Sequence, residues 1–283
     1  MKIVSLSYEL TGLEDEYEVL MVNPHTIQQN SLEVEIQKIK DFSPDLMIER
    51  EFNDGVALYD NLYKALPKVT KAWWNIDQHT TYALHTSYAN YFDYVFCAQS
   101  WFIPGVTWET TARVFYLPLS FTKPASYLTQ DEAEKTITLS FIGNIRSFHK
   151  KRASYVEALL MKYPDMRAEI IMDFEEMFKT LQASKATFNC SLANDLNFRV
   201  FEALASGTNV ITDYLTDIYM IEGLAERLFI YERTSEEEMF EAVEKALLTD
   251  TNSTDFIRSF HCLNHRYSQM LEMINSNTQK EYV

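Results

Sequence analysis

Asn194, Asp195, Asn197, Arg199 and Glu202 crowd one short stretch of this chain, NCSLANDLNFRVFEALASGTNVITDY, running from Asn189 to Tyr214. Amide and carboxylate side chains favour turns and helix N-caps. The apolar Val200, Phe201 and Leu204 follow at helical spacing until Gly207 ends the run. The pattern predicts a strand, a polar loop, a helix over Phe198 to Ser206, and a new strand from Asn209 to Thr212. A helix N-terminus offers unbonded N–H groups and the positive end of its dipole, so this loop suits an anion such as phosphate. Asn197 falls at the N-cap, and Arg199 adds a cation within one turn. Glu202 comes a turn later, away from the apolar set, where a carboxylate can accept both hydroxyls of a ribose. The chemistry implied is nucleotide binding.

Further candidates lie upstream. Gly143 closes a predicted strand at FIGN, followed by Asn144, and its missing side chain lets backbone approach a ligand or simply turn tightly. Arg146, Lys150, Lys151 and Arg152 form the densest cationic cluster. Asp77 and His79 follow the apolar run Trp73-Trp74-Asn75-Ile76. Ligands of parallel sheets collect at the carboxyl ends of strands, so either residue could serve there as a general base. The plainer alternative makes Asp77 a helix cap and His79 a surface group. The four tryptophans, Trp73, Trp74, Trp101 and Trp108, could stack on sugar rings or pack a core. His261 and His265, in HCLNH, share a helical face but lack the glutamate and third ligand of a zinc motif, so no metal is expected.

The elements that must position these residues alternate. Strands are predicted at Lys2 to Leu6, Val19 to Val22, Asp45 to Ile48, Val69 to Ile76, Asp93 to Cys97 and Val114 to Leu117. Helices are expected at Ser31 to Asp41, Val56 to Leu66 and Thr80 to Tyr91. After a polar, proline-bearing stretch, strands recur at Ile137 to Ile142, Glu169 to Met172 and Leu228 to Tyr231. Helices there are expected at Lys150 to Lys162, Phe174 to Ser184, Ser235 to Leu248 (with a Thr234/Glu237 capping box) and Asp255 to Ile274. Such alternation implies βαβ units and parallel sheet. Too few residues separate the first strand from Val19 for a normal crossover helix, so the opening unit is expected to be trimmed. The expected division is an N-terminal domain over 1–122, a linker over 123–135, a second domain over 136–255, and a closing helix over 256–283 that returns to the first domain.

Composition narrows the classes. The chain has 283 residues, 47% of them hydrophobic, and a net charge of −16. That balance argues against a broad nucleic-acid face or docking on anionic lipid. The six glycines are scattered, which removes support for a dinucleotide-binding GxGxxG or a P-loop. Cys97, Cys190 and Cys262 read as reduced thiols, and MKIVSLSYEL runs directly into charged sequence, so a cytoplasmic protein without signal peptide or membrane span is expected.

DLNFRVFEALASG followed by ITD closely resembles the C-terminal signature of the spore-maturation-protein-B-like (CgeB-like) glycosyltransferases, members of the two-domain GT-B class. WWNID with FDYVFCAQ, then YLPLS, then FIGN with Arg152, fit the same family in the same order, covering roughly Trp73 to Arg266. The resemblance implies an α/β fold of two Rossmann-like domains facing a cleft, and sugar transfer from a nucleotide sugar, UDP-linked by default, without a metal. It implies ribose binding by Glu202, and contact of pyrophosphate and sugar with Gly143, Asn144, Arg146, Arg152, Asn194, Asp195, Asn197 and Arg199. Asn194 stands where many relatives carry an acidic residue. The acceptor stays open among glycan, protein and small molecule, with nucleic acid least favoured. A catalytically inactive nucleotide-binding or scaffold protein, or a transferase acting on nucleic acid, are the alternatives.

Overall fold

The computed structural model describes residues 1–6, 12–14, 16–50, 56–76, 88–128, 133–145, 149–169 and 173–276. The chain divides into two compact units, one formed by Met1–Pro118 with Leu263–Val283, the other by Leu119–Cys262. The described part of the stretch expected as a linker, residues 123–128, thus lies within the second unit. There the Phe121 ring packs against Tyr127, Phe174 and Phe178.

In the first unit, β1 (Lys2–Leu6), β2 (Glu18–Val22), β3 (Leu46–Arg50), β4 (Thr70–Asn75), β5 (Tyr94–Cys97) and β6 (Arg113–Tyr116) form a sheet ordered β2-β1-β3-β4-β5-β6. Every pairing in it is parallel. Ile3, Val4, Met47, Ile48, Trp73, Trp74, Val95 and Phe96 are all buried. Consecutive buried residues point to opposite faces, so both faces are covered, as parallel sheets require. A short helix not foreseen from the sequence, Pro24–Asn30, precedes the expected one at Leu32–Phe42. Its signal was present: Asn23 and Thr26 form a reciprocal capping box, with proline at the first turn.

Trp73 and Trp74 both belong to the core and neither forms a sugar-stacking wall. Trp73 stacks on Phe92 and meets Tyr88 edge-on, while Trp74 donates to the Leu117 carbonyl at 2.9 Å and packs against Tyr267. Trp101 and Trp108 are the exposed pair.

The closing helix is two helices, Thr254–Phe260 and Leu263–Ser276. Between them the Phe121 N–H donates to the His261 carbonyl at 2.8 Å, and Phe121 forms a parallel bridge with Cys262. An extended pairing partner thus interrupts an apolar spacing that reads as continuous. His261 lies in the break just past the first helix and His265 within the second, so their zinc-like spacing has no common helical face. The second of the helices is anchored in the first unit by Arg266, whose Nε donates to the Pro118 carbonyl at 2.9 Å.

The second unit holds β7 (Ile137–Ile142), β8 (Arg167–Glu169), β9 (Ser184–Phe188), β10 (Asn209–Asp213) and β11 (Leu228–Tyr231), ordered β11-β10-β9-β7-β8 and again all parallel. Leu139, Phe141, Phe188, Ile211 and Tyr231 build its core with Tyr155, Val156 and Leu159 of the helix Lys150–Lys162. The cap of Glu236–Leu248 is Ser235, whose hydroxyl accepts from the Glu238 N–H, instead of the expected Thr234/Glu237 box. A shift of one residue suffices, because either hydroxyl could reach the third N–H of its own register.

Glu49, one residue before the end of β3, is 1% exposed. Tyr63 and Tyr88 donate to its Oε2, Tyr88 at 2.8 Å. Burial pushes its pKa up to about 8, opposed by those two hydrogen bonds. A carboxyl with a raised folded-state pKa stabilises fully below its unfolded value of 4.5, and loses that contribution as pH rises toward 8. Over that window stability should fall by about 1.4 kcal/mol per pH unit from this group alone. Denaturant titrations at several pH values check it: Glu49→Gln should flatten the wild-type slope.

Candidate functional site

The order of the second sheet locates the site. From β7 the chain steps to β8 on one side and returns to β9 on the other, so the loops after β7 and β9 diverge at a topological switch point, where open α/β sheets bind ligands. Gly143 and Asn144 leave β7 there; Asn189, Cys190 and Ser191 leave β9. A Cβ on Gly143 would lie 3.2 Å from the Phe141 ring, so the position favours glycine on packing grounds. Asp77, His79 and Arg146 lie outside the described residues.

Arg152 spans this switch point. Its Nε and Nη2 donate to the Cys190 carbonyl and its Nη1 to the Asn144 carbonyl at 3.2 Å, and the residue is 8% exposed. Burial lowers its pKa, but a guanidinium keeps its proton. The cation expected to face pyrophosphate ties the two loops together through their backbone.

Asp213 ends β10 fully buried, accepting from the Ser191 N–H at 2.7 Å and the Ser191 hydroxyl at 2.6 Å. Arg233, just past β11, brings its Nε to 3.7 Å from Asp213 Oδ2. Its Nη2 donates to the Ser191 carbonyl at 3.1 Å and its Nη1 to Asn194 Oδ1 at 3.2 Å. Arg233 keeps 34% of its side chain exposed, so it is a fixed cation at the rim of the site. Sequence reasoning missed it: nothing near Arg233 in sequence signals that it meets a loop some forty residues earlier.

That loop is strained. Ala193 and Asn194 both sit in the left-handed region, at φ 50 and 60. Asparagine tolerates this conformation, whereas alanine does so at a cost. The Asp195 N–H closes the turn on the Leu192 carbonyl at 3.0 Å, and Asp195 is buried. Asn197 is the N-cap, its Oδ1 accepting from the Arg199 N–H at 3.1 Å and its Nδ2 donating to Asn189 Oδ1 at 3.2 Å. The helix it starts, Phe198–Ala205, buries Val200, Phe201 and Leu204, as the spacing requires.

Glu202 lies on this helix, 6% exposed. Its Oε1 accepts from the Thr122 hydroxyl at 3.3 Å and its Oε2 lies 3.1 Å from Arg199 Nη1. Burial raises the Glu202 pKa, with Arg199 and Thr122 opposing, and burial lowers that of Arg199. Each carboxylate oxygen has one partner where it can take two. Arg199 Nε and Nη1 are both buried without a hydrogen bond, so the approach of Nη1 to Glu202 Oε2 is an ion pair and not a hydrogen bond. Among the described residues no group of three or more His, Cys, Asp or Glu could hold a metal, and no helix is long and apolar enough to cross a membrane. Cys97, Cys190 and Cys262 are buried and none is in a disulfide.

Two parallel α/β sheets, the second with ligand-facing loops at its switch point, define the GT-B class, and solved structures agree. Anabaena HepE in complex with UDP-glucose matches with a TM-score of 0.60 at 11% identity, over 98% of this chain and 100% of that one. Sucrose-phosphate synthase from Thermosynechococcus elongatus matches with a TM-score of 0.58 at 9% identity, over 98% and 100%. The UDP-GlcNAc 2-epimerase from Methanocaldococcus jannaschii matches with a TM-score of 0.54 at 10% identity, over 96% and 99%. At such identities the likeness is one of fold, and an epimerase among the three shows that the fold does not select the reaction. The family does. A model described as glycosyl transferase-like matches residues 128–272, just over half of the chain, and the chain belongs to that family. By family and fold it is a glycosyltransferase of the GT-B type. No curated protein sequence matches.

Two substitutions probe this architecture. Arg152→Met removes the donors that Arg152 gives the Cys190 and Asn144 carbonyls and should cost about 2–3 kcal/mol in chemical unfolding, whereas a purely ligand-binding arginine would leave stability unchanged. Ala193→Gly should gain about 1 kcal/mol in the same assay by relieving the left-handed conformation.

Proposed function

We propose that this chain transfers a sugar from a UDP-linked donor to a hydroxyl-bearing acceptor, as a CgeB-like transferase. The observation that carries the donor half is the Arg199–Glu202 pair. It combines a buried carboxylate with one free lone-pair site on each oxygen and a guanidinium whose Nε has no partner. Such a carboxylate is equipped to accept two ribose hydroxyls without giving up Thr122 or Arg199. Asn194 and Asn197 stand in the adjoining loop, with Asp195 closing its turn, and the N-terminus of Phe198–Ala205 favours an anion beside them. Gly143 and Asn144 approach from β7.

Arg233 is assigned the diphosphate. Cleavage of the sugar–phosphate bond leaves charge on the departing UDP, and a cation already held by Asp213, Ser191 and Asn194 meets that charge without reorganising. Arg152 adds its field from behind while holding both loops in place. Asp77 or His79 takes the proton of the acceptor hydroxyl in this scheme, and Arg146 belongs to the donor side. HepE bound to UDP-glucose supports UDP as the nucleotide, as does the S. aureus MnaA–UDP structure, which matches with a TM-score of 0.55 at 12% identity.

Calorimetry and thermal shift with UDP, GDP, ADP and TDP test the reading. UDP should stabilise the wild type in proportion to saturation, and Glu202→Ala should abolish the response. Arg233→Ala should weaken UDP about tenfold or more while leaving uridine unaffected, since a charged hydrogen bond to phosphate is worth roughly 1.5–3 kcal/mol. Silence toward all four nucleotides would overturn the reading in favour of a binding or scaffold protein.

A further inference from the structure

In the first unit, Asn75 at the end of β4 is 0% exposed with neither Oδ1 nor Nδ2 hydrogen-bonded. A buried amide without partners destabilises a fold, so its presence calls for a reason. Glu49 shares the condition: its Oε2 takes both tyrosine hydroxyls and its Oε1 has no partner. The sheet brings the two residues together. Glu49 is in register with Trp73, and Asn75 lies two residues beyond Trp73, so both side chains leave the same face of the sheet. Both stand at the carboxyl ends of neighbouring parallel strands, where ligands of such sheets gather.

We propose that Glu49 and Asn75 form a ligand subsite that takes one hydroxyl group of a neutral polyol or sugar. A hydroxyl is the smallest group that donates and accepts at once, which an amide with both ends free requires. The described surroundings disfavour ions. Tyr63 and Tyr88 bond Glu49, and Trp73 and Phe92 pack against Tyr88, so a charged ligand would lose its hydration to an aromatic wall. Below its raised pKa Glu49 is neutral. With both tyrosine hydroxyls donating to Oε2, its proton sits on Oε1 and points a donor into the subsite. Because both side chains are sealed, the subsite fills through local opening of the strand ends. Identifying the bound hydroxyl as that of the sugar acceptor rests on the transferase reading; the subsite itself does not.

The test follows the Asn75 side-chain amide signals by NMR in the full chain, with glycerol, myo-inositol and the methyl α- and β-glucosides as probes. At least one should shift those signals saturably. Its affinity should change by about threefold or more between about pH 6.5 and about pH 9 in the wild type, and stay constant in Glu49→Gln, whose amide donates at every pH. Among the described residues, Tyr63 and Tyr88 are the titratable groups facing Glu49, and Tyr63, raised by burial, stays neutral over that range. Asn75→Leu should raise Tm and abolish the response read at the Trp73 indole. Absence of a shift with every probe, leaving water as the occupant, overturns the proposal. So does an unchanged response in Asn75→Leu. UDP binding measured on the same samples separates failure of the donor site from failure of this one.

Discussion

Asp213 holds a carboxylate where bulk water does not reach, and the second unit is arranged around answering that charge. A buried ion is tolerable only when paired and hydrogen-bonded. Here the Ser191 N–H and hydroxyl supply the hydrogen bonds, and Arg233 supplies the countercharge. Each partner carries a consequence. Ser191 is drawn toward the end of β10, which orients the loop that follows β9. Arg233 is drawn over that loop, where it also grips Ser191 and Asn194. Arg152 closes the arrangement from the other strand by holding Cys190 and Asn144. The donors and cations of the candidate site are thus held by the protein itself, the condition under which the proposed electrostatic stabilisation of a leaving group costs least.

The two units treat buried polarity differently. Around Asp213 the polar atoms are partnered, and among the described residues of the second unit the exceptions are Ser140 Oγ inside β7 and Arg199, which borders the surface. In the first unit the exceptions are deep, at Glu49 and Asn75. Real proteins break local rules mostly where function requires it, and the two units break them in different places. The left-handed Ala193 is a third instance, in a loop that carries three of the candidate ligand contacts.

Much of this was legible beforehand, for identifiable reasons. β1, β7 and β11 and the helix Lys150–Lys162 fall where the pattern puts them, because each is a run whose apolar period has one reading. Asn197 was readable as a cap from its place before Phe198. The closing helix was not readable as two. Phe256, Phe260, Leu263 and Tyr267 keep helical spacing across the break, and only the pairing of Phe121 with His261 and Cys262 interrupts it. Arg152 was legible as important, but its bonds to the Cys190 and Asn144 carbonyls were not, since an arginine's type suits a phosphate as well as two carbonyls.

By itself, then, the sequence determined the alternation of strands and helices, the doubly parallel fold, the loop-and-helix block from Asn194 to Glu202, and the GT-B glycosyltransferase class. These depend on periods and short spacings that residues carry wherever they are. Only the tertiary structure decided which cation faces outward, which carboxylate is buried, and which amide goes unbonded. Those depend on who meets whom across the sheet, as Arg233 meets Asn194 and Glu49 meets Tyr88. Such contacts join residues that no local pattern relates.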